Sequence, residues 1–134
     1  MQTATVRWIE NQQFLATTPS GHAVAFDSDR QQNSAPGAME MLLAALGSCT
    51  ATDIILILKK KRQPLKSLVV SISGERAPSP PSVWTTLEML YRLEGDLDDK
   101  AVKDAVELSQ AKYCSVAVTL GKMATINYRY EIVR

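Results

Sequence analysis

The sequence is poor in the residues that build metal centres and covalent frameworks. Its 134 residues include two cysteines and one histidine. Cys49 and Cys114 stand 65 positions apart, too far for a zinc knuckle, and two thiols make no disulfide scaffold. His22 alone leaves tetrahedral zinc few possible ligands, and its place in a strand pattern reads as a surface position. An excess of one charge is also missing. A net charge of +1 gives no general attraction to nucleic acid or to anionic lipid. The sole basic run, Lys59-Lys60-Lys61-Arg62, fits cations at a helix C-terminus. Residues 1–20 hold no apolar block behind a basic segment, so no secretory signal is expected. These absences fit a reducing, cytoplasmic setting, where a pair of thiols is catalytic or inert rather than structural.

What the chain does have is a long apolar stretch, residues 38–62, with Cys49 near its middle. As a helix it spans on the order of 30 Å or more, enough to cross a small domain. Its apolar part, 41–58, approaches transmembrane length. Ser48, Thr50, Thr52 and Asp53 interrupt it, however, and amphipathic strands surround it, so a core helix is expected, with no membrane as partner. A helix apolar nearly all round is expected to be buried on most sides.

Around this stretch the pattern alternates. Thr3–Ile9, Phe14–Thr18 and His22–Asp27 read as a β-meander. Ser28–Gly37 is a polar loop ending in Pro36-Gly37. Leu65–Gly74 and Val83–Glu94 read as a long hairpin whose tip, Ala77–Ser82, is proline-rich and unable to pair. Asp96–Asp99 supplies a cap for a second helix, Asp99–Lys112. Cys114 then opens a short helical piece, Val116–Leu120, and Ala124–Val133 closes the chain as a strand. The order βββ-α-ββ-α-α′-β predicts a single α+β domain over 1–134, with a mostly antiparallel sheet packed on helices. One such unit leaves apolar surface uncovered, which a symmetric dimer would cover.

Thiol chemistry requires a thiolate. On an ideal helix Asp53 lies one turn beyond Cys49 and has the wrong sign to favour ionisation. Nine steps of about 100° put Glu40 on the opposite side. No cation stands three or four residues away. One has to come from elsewhere: Arg30 in the polar loop, Arg7 on the first strand, or a partner chain. Cys114 has the better local setting, at the start of a helix and two residues after Lys112.

Residues 34–53, SAPGAMEMLLAALGSCTATD, and 106–120, VELSQAKYCSVAVTL, resemble the two motif regions of the OsmC/Ohr family of osmotically or peroxide-induced proteins, in its YhfA-like branch. The resemblance covers essentially the whole chain. It implies an interlocked homodimer with the long cysteine-bearing helices at its centre and both cysteines at each site. It also implies a peroxidase cycle for organic hydroperoxides. Cys49 attacks the peroxide oxygen and becomes a sulfenic acid, Cys114 condenses with it to a disulfide, and a dithiol reductant of the lipoyl type resets the pair. Cofactors are not implied. The family's peroxidases hold the first thiolate with an Arg–Glu pair, for which Arg30 and Glu40 are the nearest counterparts. Glu40 is one place closer to the cysteine than in those enzymes, and Ser115 follows Cys114 where they have proline. The alternative reading is a non-catalytic OsmC-like dimer that binds a hydrophobic small molecule or acts as a redox sensor.

Overall fold

A computed structural model describes residues 1–134. The chain forms two compact units, Met1–Leu42 and Leu43–Arg134, whose boundary falls inside the long helix. In the first unit, β1 (Thr5–Glu10), β2 (Gln13–Thr17) and β3 (Ala23–Asp27) form an antiparallel sheet in chain order. Tight turns permit this meander. Asn11 takes a positive φ of 49° between β1 and β2, and Gly21 takes 87° before β3.

Helix α1 (Ala38–Lys60) runs from the first unit into the second. Its end is a Schellman motif: Gln63 N–H bonds Leu58 C=O at 2.9 Å and Arg62 N–H bonds Lys59 C=O at 3.0 Å. The motif needs a left-handed residue, and here Arg62, with φ 57°, fills the place usually held by glycine.

In the second unit, β4 (Ser67–Arg76) and β5 (Trp84–Glu94) form the expected long hairpin, with Ser67 opposite Glu94 and Arg76 opposite Trp84. Strand β6 (Thr125–Val133) lies on the other side of β5 and runs parallel to it. A parallel neighbour requires a crossover, made by α2 (Asp99–Leu108), a π turn (Ser109–Tyr113) and α3 (Ser115–Leu120). Asp98 caps α2 by accepting from Ala101 N–H at 3.0 Å. The two sheets are therefore antiparallel apart from the β5–β6 pair. The fold class is α+β, as the order of elements predicts.

The core of the second unit is built from alternate residues of β5, namely Leu87, Met89, Tyr91 and Leu93. Against them lie Leu46, Ile54 and Leu58 of α1 and Ala101, Val102, Ala105 and Val106 of α2. Gly47 lets α1 approach β4 closely, since a Cβ there would sit 2.8 Å from Ile72 Cδ1.

Burial corrects one expectation. Only a single stripe of α1 is fully buried, formed by Leu46, Gly47, Thr50, Ile54 and Leu58. Ile55 and Leu56 keep 46% and 59% of their surface exposed. Apolarity all round a helix demands cover on all sides, but one chain supplies it on one face. Although α1 is long and apolar enough to cross a bilayer, its inner stripe packs into this core, and it is not a membrane span.

Candidate functional site

The polar loop before α1 is organised by two charged side chains. Asp27, fully buried at the end of β3, accepts from Ser34 Oγ at 2.6 Å, Asp29 N–H at 2.8 Å and Ser34 N–H at 3.1 Å. The Ser34 hydroxyl first, and then the Asp29 amide, hold its carboxyl below the usual carboxylate range. Arg30 spans the loop. Its guanidinium donates to the Asp27 and Ala35 carbonyls and to Asn33 Oδ1, and it meets Glu40 Oε1 at 3.2 Å. Glu40 is the third residue of α1 and accepts from Gly37 N–H at 2.8 Å, half of a capping box. The structure thus joins Arg30 to Glu40, and Glu40 has a helix-starting task besides. Both side chains are about half exposed.

The two cysteines, distant in sequence, meet in the second unit. Cys49 lies half-buried on α1, and Cys114 is completely buried between the π turn and α3. Both are free thiols, and the Cys49 side chain is among the groups that hold Cys114 protonated. Cys114 also caps α3, its sulfur accepting from Ala117 N–H at 3.3 Å.

The expectation that this setting would favour ionisation of Cys114 is reversed. Burial, above all, and then the neighbouring Cys49 side chain push the Cys114 thiol up to about 12, with the Asp53 charge adding to the rise. The Ala117 amide works in the opposite direction and is outweighed. Loss of hydration at a fully enclosed sulfur exceeds what one amide of a short helix returns.

Polar side chains tie the surroundings of both thiols together. Thr50, next to Cys49, donates to Tyr91 Oη at 2.6 Å, and Gln110 Nε2 donates to the same oxygen. Gln110 also reaches Met89 Sδ at 3.2 Å. Asp53, one turn beyond Cys49, accepts from Ser109 Oγ at 2.8 Å. Thr50, Tyr91 and Ser109 are all buried. Beside this region an open groove of about 540 Å³ is lined by Gln110, Ala117, Val118, Ile126 and Tyr128 among others, and neither cysteine lines it. No three His, Cys, Asp or Glu side chains converge to hold a metal ion.

A long apolar helix with a thiol, a second thiol at a helix break and an antiparallel meander ahead of both make a distinctive combination. The family model for OsmC-like protein matches residues 31–129. The chain belongs to the OsmC family. Protein YhfA of Escherichia coli K12 is 40% identical over 131 residues, which is 97% of each chain. An OsmC-like protein from Mycoplasma pneumoniae has a TM-score of 0.87 at 16% identity, covering 100% of this chain and 98% of its own. The organic hydroperoxide resistance protein OhrB of Bacillus subtilis has a TM-score of 0.65 at 12% identity, with 98% of each chain covered. At these low identities the last two establish a shared fold. OsmC family membership points to a redox or peroxide-stress role.

Sequence reasoning missed Thr50, Tyr91, Ser109 and Gln110 as neighbours of the thiols. Thr50 counted only as a polar interruption of an apolar helix, and Tyr91 as one more alternating strand residue. The one local signal was the loss of helical apolar spacing after Leu108, where the π turn begins.

Proposed function

We propose that this OsmC family protein is a thiol-dependent peroxidase that reduces organic hydroperoxides through Cys49 and Cys114. The observation that carries the reading is that the only two thiols of the chain, 65 residues apart in sequence, are neighbours and both free. In the proposed cycle the Cys49 thiolate attacks the terminal peroxide oxygen, the O–O bond breaks, and Cys49 becomes a sulfenic acid. The departing alkoxide takes up the proton that Cys49 released on ionising and leaves as alcohol. Cys114, held as a thiol, then attacks the Cys49 sulfur. The S–O bond breaks, the departing hydroxide takes the Cys114 proton as water, and a disulfide forms. A dithiol reductant of the lipoyl class restores both thiols.

The elevated Cys114 thiol reacts poorly with peroxide in solution, which leaves the first role to Cys49. In the second role it becomes nucleophilic only as its proton passes to the departing hydroxide. The Cys49 thiolate needs a cation, and Arg30 with Glu40 is the proposed pair. The working form is a cytoplasmic homodimer, a reading supported by the exposed apolar residues of α1.

Reduced protein is expected to consume cumene hydroperoxide with dihydrolipoamide. Cys49→Ser should abolish turnover, while Cys114→Ser should leave a sulfenic acid at Cys49 that dimedone traps. No consumption by fully reduced protein would remove the proposal.

The burial of Cys114 favours one other reading, a non-catalytic dimer that binds a hydrophobic small molecule or senses redox state. Slow maleimide labelling of both thiols, with a lipid or acyl compound retained in native mass spectrometry, would support that reading.

A further inference from the structure

The two residues that open the π turn, Ser109 and Gln110, are both tied to the residues around Cys49. Ser109 Oγ donates to Asp53 on the helix turn beyond the cysteine, at 2.8 Å. Gln110 donates to Tyr91 Oη, which also receives the hydroxyl of Thr50, the residue next to the cysteine. The π turn then ends on Cys114, whose N–H bonds Ser109 C=O at 2.9 Å. A π turn inserts one residue into a helix, which rotates everything after it by about 100° relative to an uninterrupted α-helix. Two independent side-chain ties therefore hold the segment that ends on Cys114 against the residues that flank Cys49.

We propose that Ser109, Gln110 and Tyr91, anchored on Thr50 and Asp53, are positioning residues that set the register between Cys114 and Cys49 for disulfide formation. None of the five is needed to react with peroxide. Buried hydrogen bonds of this kind add little net stability over apolar side chains of the same shape, yet they permit only one arrangement. Every buried side-chain polar atom is paired in this structure, so a shifted register would leave Tyr91, Ser109 or Thr50 without partners inside the core. The network thereby penalises any placement of the π turn other than the observed one.

The inference rests on the proposed disulfide cycle, so its test separates the two. Diamide, a dithiol oxidant, takes two electrons and two protons from the pair and closes Cys49–Cys114 without peroxide. Closure is followed by intact mass after rapid alkylation of the remaining thiols. Ser109→Ala and Tyr91→Phe are each expected to slow closure about tenfold or more, the scale set by small misplacements of reacting groups. Ser109→Thr, which keeps the hydroxyl, should recover most of the rate. Val102→Ala, a cavity in α2 outside the network, should lower the melting temperature and leave closure at the parent rate.

With one equivalent of cumene hydroperoxide, the two slow variants should form the Cys49 sulfenic acid normally and yield more dimedone adduct than the parent. Parent-rate closure in both variants, or equal slowing in Val102→Ala, would overturn the proposal. If Ser109→Ala fails to fold, Tyr91→Phe decides alone. Slowed diamide closure in a protein whose parent form consumes no hydroperoxide would keep the positioning network and overturn the peroxidase reading.

Discussion

The Cys114 thiol is set by what surrounds its sulfur, and the dominant factor is its burial away from water. Its folded value lies at about 12, against an ordinary value of 9.0. The consequence for stability has a definite sign. Below about pH 9 neither the folded nor the unfolded chain ionises this thiol, and its contribution is fully present. Above that pH the unfolded chain releases a proton that the folded chain retains, so stability falls progressively towards about pH 12. Melting temperatures measured at about pH 8 and about pH 10 should therefore diverge in the parent, and Cys114→Ser should remove part of that divergence. Asp27 behaves oppositely. Its lowered carboxyl contributes stability above the ordinary carboxylate pKa, and this is lost as pH falls through the lowered value. Ser34→Ala, which deletes the largest cause, should raise the Asp27 pKa in an NMR titration.

The elements divide into those dictated locally and those dictated by tertiary contacts. The meander, α1, the hairpin and β6 follow alternation, turn residues and an unbroken apolar run, and all were legible within a few residues. The cap on α2 was legible too, because Asp98 stands where a side-chain acceptor is needed. The end of α2 was not. Continuation to Lys112 suits the composition, but a π turn begins at Ser109, where Ser109 and Gln110 are tied to other elements. The same limit hid the parallel placement of β6, since strand direction depends on where the crossover returns the chain.

Helix α1 offers a sharp test of local strain. Arg62 occupies a left-handed position at the Schellman end that favours glycine. Arg62→Gly should raise unfolding stability by about 0.5–1 kcal/mol in a denaturant titration. Leu58→Ala, which empties a fully buried site near the same end, should cost about 2–5 kcal/mol.

For the molecule as a whole, the outer face of α1 is the surface on which the proposed homodimer rests. The inner stripe is satisfied by the second unit's own sheet, whereas Ile55 and Leu56 face outward. In the proposed homodimer these side chains are covered, so Leu56→Glu should shift sedimentation from dimer to monomer or to aggregate. A monomeric parent would contradict that assembly. The sequence announced this surplus of apolar surface and the two cysteines, and family resemblance supplied the idea that they cooperate. It could not announce that Cys114 would be sealed from water, or that Thr50, next to Cys49, would be hydrogen-bonded to Tyr91. Those facts arise from contacts between residues far apart in the chain.

The most direct test of the central claim is a single turnover. Fully reduced protein receives one equivalent of cumene hydroperoxide, and intact mass spectrometry with alkylation counts the thiols as alcohol appears. The expected result is one alcohol per protomer, loss of both thiols together, and a tryptic fragment joining Cys49 to Cys114. Peroxide left intact beside two alkylatable thiols would contradict the peroxidase reading.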